Sequence, residues 1–335
     1  YDESNDLSLN WCGMHGSAAA NYLLQKSDLI IALGSRFDDR TTGEISKYAP
    51  EAMKAFKEGR GGIVHINIEK DEINKVINTH YNFNNSCRKF LEEIIPKLGK
   101  VDRTNWVNHA KVLKDKHPFK LKKSSETRLN MEHVLSEINK KILNKDFVIT
   151  TGVGNHQMQT YQFILSKTPG KILSSGSLGV MGCGLPYAIG AKLANPEKLV
   201  LLIDGDSSFN MTLNELKTIK EYNIPVKIAI MNNSAQMMVT IWEKLFFNER
   251  YTATINSNNP SYTSISEGFG IKSISCNDKN KLPDTIKEFL EYPGPILCEF
   301  NIKRDICLPL VAPGKALDDM ILDDNTSNIT GEAPS

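Results

Sequence analysis

Five short, almost uninterrupted apolar runs limit the fold of this chain more than any other feature: FVITTG (147–152), KILSSG (171–176), LVLLID (199–204), VKIAIM (226–231) and ILCEFNI (296–302). Runs that do not alternate with polar residues belong to parallel strands buried on both faces, and the helical segments between them imply right-handed crossovers. Residues 130–305 are therefore expected to form an open α/β domain with a doubly wound parallel sheet. Such sheets bind ligands beyond the carboxyl ends of their strands. That places the expected site along one edge, at Gly152 to His156, Ser175 to Met181, Gly205 to Ser208 and Asn232 to Met238.

The earlier part, residues 1–99, reads as a partial α/β domain. A helical stretch, GSAAANYLLQKSD, precedes a strand at 29–37, and GGIVHINI (61–68) is a second. Two strands are too few for a doubly wound domain to stand alone. Residues 100–129 are charged and poor in branched apolar side chains, as in a connecting helix and linker, and 306–335 form a tail. Forty basic and 39 acidic residues leave a net charge of +1, which gives no global field for nucleic acid or an anionic membrane. The six cysteines show no CxxC pair and suit structural thiols in a reducing compartment. The opening residues, YDESNDLSLNWCGMHG, have neither a basic nor an apolar region of a signal peptide.

Two strand ends carry chemistry. The run at 199–204 passes into Gly205-Asp206-Ser207-Ser208, and Thr212-Leu213-Asn214-Glu215 matches a capping box opening the next helix. The following strand delivers Asn232 and Asn233. A carboxylate oxygen, an amide oxygen and a backbone carbonyl, completed by phosphate oxygens and water, make the octahedral shell that magnesium prefers. Asp206 and Asn233 stand 27 apart, one helix plus one strand, so adjacent parallel strands would bring them together. This spacing resembles the GDG…NN motif of thiamine-diphosphate enzymes.

Over about residues 10–325 the chain resembles the catalytic subunit of acetolactate synthase, most closely in its fungal, mitochondrial form. The segments that carry the resemblance are RFDDRTTGEISKYAPEAMKAFKEGRGGIVHINIEKDEINKV, TTGVGNHQM, SGSLGVMGCGLPYAIGAKLANPE, IDGDSSFNMTLNELKTI, PVKIAIMNNSAQMMVTIWEKLF and LPLVAPGKALDDMI. It implies a thiamine-diphosphate-binding fold preceded by part of a FAD-type middle domain. Magnesium would be held by Asp206, Asn233 and the carbonyl of Ala235. The diphosphate would meet Val153, Gly154, Asn155, His156, Gly179, Gly205, Ser207 and Ser208. Met181 would support the bent cofactor, and Met238, Val239 and Trp242 would line the pocket for the second 2-oxo acid. FAD would lie against Met14, His15, Gly16, Arg36, Asp38, Asp39 and Arg40.

The implied reaction decarboxylates pyruvate and joins it to pyruvate or 2-oxobutanoate in branched-chain amino acid synthesis, in a mitochondrial homodimer whose site lies between chains and which a regulatory subunit could join. The pattern departs from the family at Asn67 and Asn85-Ser86, where FAD contacts are usually acidic, and at Asn155, Ser207 and Met237. The pyrimidine domain has no counterpart here, so the chain alone is expected not to turn over. Two alternatives are a non-catalytic chain that keeps magnesium-thiamine-diphosphate binding, and another thiamine-dependent 2-oxo acid enzyme.

Overall fold

The structure is a computed structural model that describes residues 2–122 and 127–322. The end of the lysine-rich stretch, 123–126, and the tail from 323 onward lie outside the described residues. The chain forms two compact units. One comprises residues 119–307 with the first few residues; the other comprises 5–118 together with the described part of 308–324.

The smaller unit holds three parallel strands, β1 (Leu29–Leu33), β2 (Gly62–Asn67) and β3 (Tyr81–Asn84), in that order. β1 stops four residues short of the expected end at 37, because Gly34 (φ 68°) and Phe37 (φ 51°) turn the chain out of the extended region. β3 was not foreseen: its residues Tyr-Asn-Phe-Asn are all exposed, and two asparagines dilute any strand signal. The helix Ala18–Lys26 follows the expected helical stretch, with Ser17 accepting from the Ala20 N–H as its cap. The helix Thr104–Lys116 packs on it through Leu113, against Ala19 and Leu23. Val311 and Leu317 are buried in this unit's core beside Ala49, Ala52 and Ile63. Val311 belongs to, and Leu317 lies between the strands of, an antiparallel pair, β10 (Leu310–Val311) with β11 (Met320–Ile321). β1 is an edge strand, and Leu29, Ile31 and Leu33 share one face at 44%, 53% and 45% exposure.

The larger unit is the doubly wound sheet. Six parallel strands, β4 (Phe147–Thr151), β5 (Ile172–Leu173), β6 (Leu199–Gly205), β7 (Lys227–Asn232), β8 (Lys272–Cys276) and β9 (Ile296–Asn301), lie in the order β5-β4-β6-β7-β9-β8. Alternate side chains feed two separate cores. Ile149, Leu201, Ile203, Ala229 and Met231 pack on one face; Val148, Val200, Leu202, Ile228 and Ile230 pack on the other. Double burial is why these runs show no polar alternation. From β4 the order runs outward to β5 on one side and to β6 and β7 on the other, so the switch point falls between β4 and β6.

Three local expectations need correction. Only Ile172 and Leu173 of the run 171–176 pair with β4. Ser174 leaves the ladder because its hydroxyl engages both Thr151 Oγ1, at 2.7 Å, and the Gln157 amide. Thr212 does not form a capping box: its hydroxyl donates to the Gly182 carbonyl at 2.7 Å, and the segment opens as a 3-10 turn, Leu213–Glu215, before the helix Leu216–Glu221. Strand β8 was overlooked because KSISC, at the sheet edge, is half polar. Among the described residues no helix is long and apolar enough to cross a membrane. The six cysteines are free thiols.

Leu202 is fully buried in the centre of the sheet. Leu202→Ala is expected to lower unfolding free energy by about 3 kcal/mol, the middle of the range for such truncations, as read from urea denaturation.

Candidate active site

The tips of β4, β6 and β7 lie side by side. Register pairs Thr151 with Ile203 and Gly205 with Met231, so the residues just beyond each strand reach the same level. The loop after β4 supplies Val153 and Gly154 and enters the helix Asn155–Phe163; Gly154 (φ 153°) takes a conformation that other residues rarely adopt. β6 runs directly into the short helix Asp206–Phe209. β7 ends at Asn232 and is followed by Asn233, Ser234 and Ala235 before the helix Met237–Phe246.

Around one small cavity of about 60 Å³ these segments bring together Val153, Gly154, Asn155, His156, Met181, Gly205, Asp206, Ser207, Ser208, Asn233, Ala235, Met237, Met238 and Val239. A second, more open cleft of about 390 Å³ shares Met181, Ser207 and Gln236 with it. Gly179 lies in the loop before Met181 at φ 63°, where an added Cβ would meet Val153 at 3.9 Å, and is not among the lining residues. Trp242 sits one helical turn beyond Met238 with its ring edge-on to Phe246 at 5.4 Å, away from both cavities' linings.

The floor of the site is packed without slack. An added Cβ on Gly152 would sit 2.0 Å from Asp204 Oδ1 and 2.1 Å from Ser208 Oγ. One on Gly205 would sit 2.8 Å from His156 Nδ1, so that glycine makes room for the buried imidazole rather than only for a ligand. His156 Nε2 lies 3.2 Å from Asp204 Oδ1, in a pair where both side chains are shielded from solvent. Ser208 accepts the Gly182 N–H at 3.0 Å and ties the glycine-rich loop to β6.

Asp206 is 1% exposed, and burial pushes its carboxyl above the ordinary range, with hydrogen bonds from Asn259 and Asn256 opposing that shift. Asn233 Oδ1 accepts the Ala235 N–H at 3.1 Å, which folds the backbone after β7 so that the Ala235 segment turns back toward the strand end. The Asn233 carbonyl accepts from Arg304 Nε at 3.0 Å. Among the described residues no group of three or more His, Cys, Asp or Glu is placed to hold a metal ion. The donor set at the β6 and β7 tips is instead one carboxylate, one amide and one carbonyl. A hard cation with oxygen ligands fits that set, and a buried carboxylate is better solvated by such an ion.

In the smaller unit the residues singled out for a nucleotide are held differently. Met14, His15 and Gly16 are buried, and the Met14 N–H donates to the Arg40 carbonyl at 2.7 Å. The charged loop pairs with itself: Arg36 with Asp38 at 2.8 Å, and Arg40 with Asp39 at 3.2 Å. Asp38 also caps the helix Asp39–Thr42. Asn67 has a structural use for its amide, which donates to the Ser35 carbonyl at 3.0 Å between strand tips, a bond that a carboxylate could not make. Asn85 Oδ1 accepts the Ser86 N–H.

Family profiles described as "Thiamine pyrophosphate enzyme, central domain" and "Thiamine pyrophosphate enzyme, C-terminal TPP binding domain" match residues 1–94 and 152–300. The chain belongs to the thiamine pyrophosphate enzymes and carries their central and C-terminal domains. Within that class it is acetolactate synthase catalytic subunit-like. It is 40% identical over 327 residues to the mitochondrial acetolactate synthase catalytic subunit of Saccharomyces cerevisiae, covering 96% of this chain and 47% of the relative. It is 41% identical over 333 residues to the mitochondrial acetolactate synthase of Schizosaccharomyces pombe (97% and 50%). It is 35% identical over 338 residues to the large subunit of Porphyra purpurea (96% and 54%). The chain thus spans about half the length of the curated relatives it matches.

The sequence reading missed Asn256 and Asn259, whose amides reach Asp206, and Arg304 behind Asn233. All three lie outside the motif; the signal available was the asparagine-rich NSNNP at 256–260.

Gly152→Ala is expected to destabilise the chain by several kcal/mol, on the order of the larger overpacking costs, and a thermal melt of the variant checks it. Burial, reinforced by Arg40, lowers the His15 pKa to about 4. Between pH 6.5 and 4 the unfolded state then binds the extra proton, so His15 contributes stability above pH 6.5 that is lost as pH falls toward 4. The full effect is at most about 3 kcal/mol. His15→Asn should flatten the fall in stability between urea titrations at pH 7.5 and 4.5.

Proposed function

We propose that this chain contributes the cofactor-binding half of an acetolactate synthase. Decarboxylation of pyruvate would be followed by joining of the two-carbon unit to pyruvate or 2-oxobutanoate. The observation that carries this reading is the convergence of Asp206, Asn233 and Ala235 with Val153 to His156 and Met181 around one cavity at the sheet's switch point. Alignment to relatives named acetolactate synthase, over nearly the whole chain, supports the choice of reaction within the class.

Asp206, Asn233 and the Ala235 carbonyl would hold magnesium, which neutralises a diphosphate. The N–H groups opening the helix Asn155–Phe163 and the hydroxyl of Ser207 would take the phosphate oxygens, as helix N-termini do. When bound, thiamine diphosphate supplies a carbon nucleophile and an electron sink for decarboxylation. Met181, which lines both cavities, would buttress the cofactor from below. Met238 and the half-exposed Val239, at the start of the helix Met237–Phe246, would present an apolar wall to the second 2-oxo acid. Met237 is buried against the same cavity and reduces the space beside that wall.

The remaining catalytic parts would come from a pyrimidine domain, in a homodimer with a shared site. By analogy with the fungal relatives the setting would be mitochondrial, with a regulatory subunit as a further partner. The smaller unit offers less for FAD: Arg36 and Arg40 are paired, Met14 and His15 are buried, and Asn67 is committed to Ser35. FAD is therefore left outside the proposed activity.

Calorimetric titration of the chain with thiamine diphosphate tests the reading. Heat of binding that requires magnesium is expected, and Asp206→Ala should abolish it. Unchanged affinity in that variant, or binding indifferent to magnesium, would sink the assignment of the cation site.

A further inference from the structure

Asp206 is held from a direction that the motif does not describe. Asn259 Nδ2 donates to Asp206 Oδ2 at 2.6 Å and to Asn232 Oδ1 at 3.1 Å, bridging the tips of β6 and β7. Asn256 Nδ2 donates to Ser207 Oγ at 2.8 Å and to the same Asp206 Oδ2 at 3.3 Å. Each amide thus spends both of its hydrogens on the site. Both converge on one carboxylate oxygen, and neither touches Oδ1.

The segment that carries them is fixed at each end. On one side it forms an antiparallel bridge between Ile255 and Ala235, with Gln236 N–H donating to the Thr254 carbonyl at 2.8 Å and Asn256 N–H to the Ser234 carbonyl at 2.9 Å. On the other side it runs into the helix Tyr262–Gly268, whose Tyr262 is fully buried and donates its hydroxyl to the Asp206 carbonyl at 3.2 Å. One strap therefore joins the backbone of Ala235 to the side chain and the backbone of Asp206, the two ends of the donor set. A buried carboxylate with no such partners would be free to rotate, and an ion would have to fix it on binding.

We propose that Asn256 and Asn259 are positioning residues for the divalent cation: they clamp Asp206 through Oδ2 and leave Oδ1 as its metal-binding oxygen. This rests on the reading of Asp206 as a magnesium ligand. Partners of metal-binding groups typically contribute 10–100-fold to metal affinity, because they remove the cost of orienting the ligand. The cost of losing them falls on the cation first. Excess cation should restore what is lost.

The test is calorimetry of thiamine diphosphate binding to the full chain across a magnesium series. For Asn259→Ala, and more so for Asn256→Ala with Asn259→Ala, the magnesium concentration at half-saturation should rise about tenfold or more. Thiamine diphosphate affinity at saturating magnesium should stay within about twofold of the parent's under the same principle. If affinity instead falls equally at every magnesium concentration, the strap only maintains the loop and the proposal fails. If the double variant matches the parent while Asp206→Ala abolishes binding, the proposal fails alone and the cation site stands. If Asp206→Ala binds like the parent, or the parent does not bind, both fall together. Should Asn259→Ala not fold, as judged by its melting curve, Asn256→Ala carries the test. That variant removes the longer contact, so a smaller rise in half-saturating magnesium is expected, and no rise overturns the proposal.

Discussion

Covering a parallel sheet on both faces leaves the larger unit one place for polar chemistry. Between Lys227 at the start of β7 and the polar tips Asp204 and Asn232, the side chains along β6 and β7 are taken into one of two apolar cores. A carboxylate inside such a strand needs a buried partner, as Glu299 of β9 has in the Asn232 amide at 2.7 Å. At the carboxyl ends the strands stop, the first N–H groups of the following helices have no partner within the helix, and acidic or amide side chains can be accommodated. Asp204 and Asp206 straddle that boundary: Asp204 turns back against His156, and Asp206 opens the next turn. The position of the candidate site is thus a consequence of burial, set before any ligand is considered.

The same constraint explains how tightly the site is built. Gly152, Gly182 and Gly205 are each pressed by a neighbour where a side chain would begin, namely Asp204 and Ser208, Met211, and His156. The glycines here serve contact between protein segments at least as much as approach by a cofactor. They hold three strand ends, a helix start and a loop in one arrangement. Preorganisation of this kind lowers the cost of fixing a charged ligand.

Strong apolar runs made the sheet legible from the sequence, and one βα unit of spacing brought Asp206 and Asn233 together. What stayed hidden had weak or divided local signals. Strands β3 and β8 are edge strands with polar residues among them, β3 exposed throughout and β8 mixing buried and exposed side chains. Thr212 and Glu215 match a capping box in pattern, but a tertiary bond to Gly182 claims the hydroxyl that would have made it. Ser174 likewise spends its hydroxyl across the fold on Thr151. Asn256 and Asn259 lie about fifty residues beyond the carboxylate they hold, in a loop whose composition marks a turn and nothing more. Within RFDDR, Arg36 pairs with Asp38 and Arg40 with Asp39, which the resemblance, reading these residues as nucleotide contacts, did not imply.

The smaller unit is discontinuous in the chain: Val311 and Leu317 complete a core whose other members lie before residue 80. This has a consequence for synthesis. As the chain emerges from the ribosome, the strands β1 to β3 and their helices are present long before the two residues that seal them. The larger unit has all its strands by residue 301 and can fold in the interval. The unit that starts first thus finishes last, and its unsealed core must wait through the synthesis of an entire domain.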